Sequence, residues 1–296
     1  MKSLSEIPEK ERSLYKIMDL WYMHNISGRL APNTCRMYSD TIRRIKTHAA
    51  DIPVKAINEE HMQIIINKVA NAGYANSTVS KCRLVLNNIT EYAVRIKWLD
   101  TLPLFKLFVP KSAPTKAVDA LDIETQIKVE EYCRTPKNQK YGDVVLFILN
   151  TGLRIGELFN LKWCDIKAIS KYTYMEIRKS KTKNGIRCVP LNSEALKIIQ
   201  RQPHINEYVF TTITGEQLSQ TQMKRFNAKL RSELNIETFT NHICRHTFAT
   251  RALEKGMEIN ALSKIMGHSS PAFTMQRYTT VFNEYLFAQM SIFERA

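Results

Sequence analysis

The 296-residue chain lacks the signatures of membrane-spanning, secreted and zinc-stabilised proteins. Its longest strongly apolar stretch, Val144 to Leu149, is too short to span a bilayer, and the polar start of the chain does not resemble a secretory signal. The six cysteines form no CxxC pair and no His/Cys group at zinc-ligand spacing, which argues against disulfides and structural zinc. We therefore expect a cytoplasmic protein that does not bind or cross a membrane.

Nucleotide and metal signatures are also missing, since the sequence contains no Walker loop, GxGxxG turn or HExxH helix. Acidic residues are few: 28 Asp and Glu stand against 43 Lys and Arg, which gives a formal net charge of +15. Such an excess of positive charge favours a polyanionic partner, with nucleic acid ahead of an anionic membrane. The sequence thus predicts a nucleic-acid-binding protein with no cofactor.

The first part of the chain, 1–105, is predicted to be a helical DNA-binding domain, because apolar residues recur at helical spacing without an alternating strand pattern. Basic residues on the polar faces of these helices are candidate DNA contacts: Arg43, Arg44, Lys81 and Arg83. For any one helix, exposure to solvent is the simpler explanation of its basic residues. The net positive charge of the whole chain makes contact with DNA an equally good explanation. Residues 106–118, with prolines, lysines and little periodicity, are predicted to be an extended basic linker.

The remaining chain, 119–296, is predicted to be a catalytic domain in which helices surround a small antiparallel hairpin. Strands are expected at 172–178 and 186–191, joined across Lys183-Asn184-Gly185, because Asn-Gly favours a hairpin. The hairpin carries five basic residues and no acidic one, so it can place a lysine tip in a DNA groove, although a solvated turn explains any single lysine. The predicted fold class is mainly α with a small antiparallel β-sheet, arranged as a two-domain DNA clamp.

Several polar side chains in this part of the chain suit chemistry on a phosphodiester. Arginine holds two phosphate oxygens, histidine exchanges protons near neutral pH, and tyrosine can carry a phosphoester. Arg154 follows a Thr-Gly turn at a helix start, where backbone amides also favour phosphate. His242 and Arg245 are three residues apart on a predicted helix and share a face. Taken singly, each has a structural explanation, such as an ion pair of Arg154 with Glu157.

Together, five motifs in order closely resemble those of the tyrosine recombinases, also called phage integrases. They are Thr151 to Leu158, the basic hairpin ending at Leu191, His242 to Thr250, Met266 to Ser270, and Tyr278. The resemblance covers the chain from about Ala120 to its end, and the first half is loosely similar to the family's helical core-binding domain. It implies an enzyme that cuts and rejoins DNA through a 3′-phosphotyrosine without metal or ATP.

The resemblance also implies roles for individual residues. The implied catalytic residues are Arg154, Lys181, His242, Arg245, His268 and Tyr278. The arginines clamp the non-bridging phosphate oxygens, the histidines hold and shuttle protons, and Tyr278 attacks. Lys181 protonates the leaving 5′-oxygen, with Lys183 as a rival for this role and as a candidate DNA contact. Glu157 matches an acidic position that supports the site.

By the same resemblance, the partner is double-stranded DNA with inverted half-sites, bound by a dimer at each site and a tetramer in the synapse. A mostly apolar stripe beyond Asn283 is expected to dock on a neighbouring protomer or to fold back on its own domain. Integration and excision of a mobile element is the expected role, and chromosome-dimer resolution is the alternative. A type IB topoisomerase-like enzyme and a non-catalytic DNA-binding regulator are more distant alternatives.

Overall fold

The computed structural model describes residues 7–101, 106–114, 119–178, 180, 183–268, 270 and 272. The chain divides into two compact units, Met1–Ala117 and Val118–Ala296, and each has its own hydrophobic core. Among the described helices, none has the length and apolar character needed to cross a membrane.

The described part of the first unit is helical, as its periodicity predicts. Its α-helices are α1 (Leu14–Trp21), α2 (Pro32–His48), α3 (Glu59–Asn71) and α4 (Asn76–Arg95). A π-helical turn, Tyr22–Ile26, extends α1. Helix α3 begins where the side chain of Asn58 accepts the backbone N–H of His61 at 2.9 Å, which satisfies one of the first amides of the helix. The apolar faces of the four helices meet in a core in which Ile17, Ile66 and Leu86 are fully buried.

Residues 106–114, predicted as part of an extended linker, form no helix or strand, turn at 111–112 and pack against the helical unit. The side-chain amide of Gln63 on α3 accepts the backbone N–H of Phe108 at 2.9 Å and donates to the carbonyl of the same residue at 2.9 Å. Leu107 and Ala113 are buried in the core of the unit. This stretch therefore belongs structurally to the helical unit.

The second unit surrounds a central buried helix. Its described α-helices are α5 (Ile123–Arg134), α6 (Gln139–Thr151), α7 (Ile155–Phe159), α8 (Ser193–Gln200), α9 (Gln220–Leu234), α10 (Asn241–Glu254) and α11 (Ile259–Met266). Helix α6 packs against α5, α8 and α10. Helix α5 begins at Asp122, whose carboxylate accepts the backbone N–H of Thr125 at 2.7 Å, as the sequence predicts.

A three-stranded antiparallel sheet lies beside these helices. Its strands, in spatial order, are β1 (Ile166–Ile169), β2 (Tyr172–Ile177) and β3 (Arg187–Pro190). The predicted pairing of the last two strands is confirmed, with Ile177 opposite Arg187. The connection between these two strands contains Lys183-Asn184-Gly185, as predicted, and these three residues form a 3₁₀ turn within it. Strand β1 is absent from the sequence prediction.

Candidate active site

Arg154 is held at the junction between α6 and α7. Helix α6 ends at Gly152, whose φ of 65° is in the left-handed region. A Cβ atom at this position would overlap the Phe248 ring and lie 2.8 Å from the sulfur of Met266, so glycine is required for both conformation and space. The chain then enters α7 with Arg154 as its N-cap residue.

Glu157, on the first turn of α7, collects hydrogen bonds from three parts of the unit. Its carboxylate accepts a hydrogen bond from the backbone N–H of Arg154 at 3.2 Å and another from Nη1 of the same residue at 2.8 Å. It also accepts hydrogen bonds from Nη2 of Arg187 at 3.0 Å and from the hydroxyl of Ser180 at 2.8 Å. The Glu157 side chain, only 4% exposed, thus joins the start of α7 to the connection between β2 and β3.

The pKa of Glu157 reports how strongly these groups hold its charged form. Burial alone raises this pKa, because it removes water from the carboxylate. Hydrogen bonds and charge from Arg187, with further hydrogen bonds from Arg154 and Ser180, outweigh burial and lower the pKa to about 2. Glu157 is therefore ionised at neutral pH and balances part of the positive charge in this region.

Three guanidinium groups converge on the C-terminal end of α11. They donate to consecutive carbonyl oxygens at 2.6, 2.5 and 2.8 Å: Arg187 to Ile265, Arg245 to Met266 and Arg154 to Gly267. The last carbonyls of a helix have no partner within it and carry partial negative charge, which makes them good acceptors for cations. The three arginines thereby fix the segment that leads directly into His268.

The backbone conformation of Gly267 completes this helix end. Gly267 has a φ of 63°, and its N–H donates to the carbonyl of Lys264 at 3.1 Å. The N–H of His268 donates to the carbonyl of Ser263 at 3.1 Å, which gives the paired hydrogen bonds of a Schellman motif. A Cβ on Gly267 would lie 3.0 Å from Nη1 of Arg187. The half-buried His268 thus follows a tightly packed turn.

Helix α10 supplies the other two described candidates. Its N-cap residue Thr240 accepts the backbone N–H of Ile243 at 3.3 Å, so the helix begins just before His242. His242 is exposed, whereas Arg245 is 4% exposed and also donates to the carbonyl of Gly152. Arg245 therefore connects the ends of α6 and α11, and the spacing of three residues puts His242 on the same face of α10.

Two of the six candidate catalytic residues, Lys181 and Tyr278, lie outside the described residues, as does the apolar stripe beyond Asn283. Only the backbone of Lys183 is described, and it opens the 3₁₀ turn of the connection. The residue before Lys181 is Ser180, whose contact with Glu157 brings this part of the connection to the start of α7.

The candidate DNA contacts of the helical unit occupy two kinds of environment. Arg43, Lys81 and Arg83 are exposed. Arg44 is half-buried, and its guanidinium carbon lies 4.7 Å from the centre of the Tyr74 ring. Packing on this ring is sufficient to explain the position of Arg44.

Sequence reasoning missed the part played by Arg187, which it counted only as one of five basic residues on the hairpin. The Arg187 side chain is 7% exposed and its contacts lie inside the unit. A signal was available, because Arg187 and Val189 are two apart on β3 and therefore face the same side of the sheet. Val189 is fully buried, so Arg187 shares its inward direction.

Comparison with known proteins assigns the chain to a family. The model of the phage integrase family matches residues 119–284, and that of the phage integrase N-terminal SAM-like domain matches residues 20–97. The chain belongs to the phage integrase family. It is a tyrosine recombinase that binds DNA and that cuts and rejoins it through a tyrosine intermediate without ATP. The family predicted from the motifs is confirmed.

Individual phage integrase relatives agree with this assignment. A XerC-like tyrosine recombinase of Caldanaerobacter subterraneus subsp. tengcongensis is 24% identical, with 91% of this chain and 79% of the relative covered. The solved Tn1549 transposon integrase in complex with circular intermediate DNA has a TM-score of 0.73 at 21% identity, covering 89% of this chain and 94% of that one. A lambda integrase tetramer bound to a Holliday junction has a TM-score of 0.69 at 19% identity, with coverage of 88% and 78%. These likenesses confirm the predicted fold class.

Proposed function

We propose that this recombinase integrates and excises a mobile element by site-specific strand exchange through a 3′-phosphotyrosine. The observation that carries the proposal is the attachment of Arg154 and Arg245 to consecutive carbonyls immediately before His268. Two permanently charged forks and an imidazole are thus tied to one helix end, which suits recognition of a phosphodiester. The similarity to a transposon integrase supports the assignment to a mobile element.

In the proposed reaction, the hydroxyl oxygen of Tyr278 attacks the scissile phosphorus. A phosphorus–oxygen bond to tyrosine forms as the bond to the 5′-oxygen breaks, and Lys181 donates the proton that the leaving oxygen takes up. Arg154 and Arg245 stabilise the charge that moves onto the non-bridging oxygens. His242 and His268 hold and shuttle protons, including the one that the Tyr278 hydroxyl loses on attack. Because the phosphotyrosine conserves the energy of the broken bond, the reverse attack by a 5′-hydroxyl rejoins the strand without ATP.

The positive field of the site also serves the nucleophile. A tyrosine hydroxyl has an unperturbed pKa of about 10, so attack near neutral pH requires proton removal or stabilisation of the phenolate. The guanidinium groups of Arg154 and Arg245 supply positive charge that is independent of pH. They bind the phosphate and favour the phenolate through the same charge.

We further propose that residues 1–105 and 119–296 form two DNA-binding domains that clamp the duplex, with 106–118 between them. The exposed Arg43, Lys81 and Arg83 suit contact with the phosphate backbone, and Lys183 is the candidate from the hairpin. The substrate is DNA with inverted half-sites, bound by a dimer at each site and a tetramer in the synapse. The fold shared with a lambda integrase tetramer on a Holliday junction supports this assembly.

The decisive test is covalent trapping on a nicked half-site, from which the cleaved fragment diffuses away so that the adduct accumulates. Wild-type protein should remain on the DNA through denaturing electrophoresis. Tyr278→Phe should bind the half-site normally and form no adduct, whereas the control Tyr172→Phe, at an exposed tyrosine of the sheet, should form it. An adduct in Tyr278→Phe, or a wild-type adduct located on Tyr285, the next tyrosine along the chain, would show that another residue is the nucleophile.

Chromosome-dimer resolution is a second candidate, because a relative that aligns with 91% of this chain is named as XerC-like. Sequencing the DNA trapped covalently in the native cell separates the two roles. Ends of a mobile element support integration and excision, whereas one chromosomal site that does not border an element supports dimer resolution. Sequence-tolerant relaxation of supercoils by monomers would instead identify a topoisomerase-like activity, and failure of every trapping experiment would leave a DNA-binding regulator.

A further inference from the structure

Arg187 begins β3 on the basic hairpin, yet its side chain points into the catalytic unit. Only 7% of the side chain is exposed. Its Nε donates to the carbonyl of Ile265 at 2.6 Å, and its Nη1 donates to the carbonyl of Gly185 at 2.7 Å. Nη1 and Nη2 reach the carboxylate oxygens of Glu157 at 3.2 and 3.0 Å. Each of these contacts therefore lies within the catalytic unit.

Each of these contacts leads to a different part of the proposed machinery. Ile265 lies three residues before His268, at the end of α11. Gly185 belongs to the connection between β2 and β3, which also contains the proposed general acid Lys181. Glu157 binds Arg154 directly. A single guanidinium group thus spans the junction at which the helix end, the hairpin and the start of α7 meet.

We propose that Arg187 is a positioning residue for strand exchange, which sets the hairpin and the end of α11 in one geometry around Arg154. The inference rests on the proposed function, because it concerns delivery of the proton from the hairpin lysine to the leaving 5′-oxygen. The planar fork of arginine donates in several fixed directions, whereas lysine presents one compact charge on a flexible stem. Replacement by lysine therefore keeps the charge beside Glu157 but cannot bridge all three partners.

The test compares full-length wild type with Arg187→Lys on nicked half-sites. One substrate has an ordinary 5′-oxygen at the scissile phosphate and the other has a 5′-bridging sulfur, which leaves as a thiolate without needing a proton. We expect unchanged half-site binding and cleavage of the ordinary substrate reduced by about 100-fold, as for a reacting group displaced by about 1 Å. Cleavage of the sulfur substrate should return close to the wild-type rate.

Arg201→Lys is the control, because it makes the same substitution at another arginine of the unit that binds a buried carboxylate, although the Arg201 side chain itself is 38% exposed. Arg201 binds the buried carboxylate of Asp143 through two nitrogens. This variant should lose stability without losing cleavage of either substrate. Thermal melting followed by circular dichroism identifies an assay temperature at which every variant is folded. Binding and cleavage by Arg187→Gln, a second replacement of the same residue, are measured on the same two substrates.

Four results would overturn the proposal. These are normal cleavage by both Arg187 variants, an equal loss on the two substrates, a loss of binding that accounts for the loss of cleavage, and a similar loss in Arg201→Lys. Failure of the proposed function has a different signature. If the sulfur substrate does not restore cleavage to Lys181→Ala or to Lys183→Ala, the hairpin lysine is not the general acid, whatever Arg187 does.

Discussion

Two arginines of this recombinase, one in each unit, have opposite environments. The Arg43 side chain of the helical unit is 79% exposed, whereas Arg245 of the catalytic unit is 4% exposed and bonded to the ends of two helices. An exposed cation attracts phosphate in many orientations and can be replaced by another nearby cation. A buried guanidinium in fixed geometry can stabilise one charge distribution. The comparison teaches that net charge indicates DNA binding but does not locate the chemistry.

The largest effect should come from replacing the inward-facing arginines. Arg154→Lys and Arg245→Lys keep the charge but lose the fork, so we expect single-turnover cleavage of a nicked half-site to fall by about 10²–10³-fold. Gel-shift affinity for the same half-site should change little. Arg43→Lys is the matched control in the helical unit and should cleave normally. Equal losses of cleavage and affinity would mean that the inward arginines only anchor DNA, and the contrast between the units would disappear.

The next effect concerns stability against acid. The pKa of Glu157 is lowered from 4.5 to about 2, so its ionisation contributes about 3 kcal/mol of folding free energy that is complete above pH 4.5 and lost as the pH falls to 2. Glu157→Gln cannot ionise, so the stability difference between wild type and this variant should shrink across that window. Urea unfolding at a series of pH values measures it. The hydrogen bond and charge of Lys197 also lower the pKa of Glu194, but this side chain is 47% exposed and water screens the pair. Glu194→Gln should therefore show a much smaller change with pH. A constant difference between wild type and Glu157→Gln would mean that the ionisation of Glu157 does not supply this stability.

The boundary of the helical unit offers a smaller effect. A fragment of residues 1–105 loses buried Leu107 and Ala113 and both hydrogen bonds from Gln63, whereas a fragment of residues 1–118 retains them. We expect the longer fragment to be more stable by about 2–3 kcal/mol, from one apolar side chain and a few hydrogen bonds. Chemical denaturation of the two fragments provides the measurement. Equal stabilities would support the boundary predicted from the sequence, at residue 105.

The smallest effect should come from single surface cations. Arg43→Ala or Lys81→Ala should lower half-site affinity modestly and reduce the slope of log affinity against log salt by about 1, as for one lost phosphate contact. Titration at several salt concentrations gives this slope. Cleavage per bound complex should stay at the wild-type level. A fall in that quantity would place these residues in the chemistry and break the distinction between outward and inward charge.

Local patterns predict much of this fold because helices record their own periodicity and ends. The Asp122 cap and the glycine stop at Gly152 follow from residues within one or two turns. Strand β1 was missed because its four residues have no buried member, so it shows no alternation. The DNA-contact assignments and catalytic roles remain predictions.

Long-range contacts explain what the sequence did not disclose about the site. Arg187 meets Glu157 across 30 positions and Ile265 across 78, and Gln63 meets Phe108 across 45. A window of 11–18 residues, over which helix and strand patterns are read, cannot contain both members of such a pair. Motif order brought Arg154, Arg245 and His268 into one hypothesis, but it did not reveal the carbonyls that hold the two arginines in place.

The pair of hydrogen bonds between Gln63 and the backbone of Phe108 has an evolutionary consequence. The Gln63 side chain bonds only to the main-chain N–H and carbonyl of Phe108. The aromatic side chain of Phe108 is 57% exposed. Any amino acid except proline offers the same pair of groups, so position 108 is free to drift while position 63 is not. Substitutions at position 108 can therefore change the exposed surface of the unit at little cost to the fold, provided that the glutamine stays.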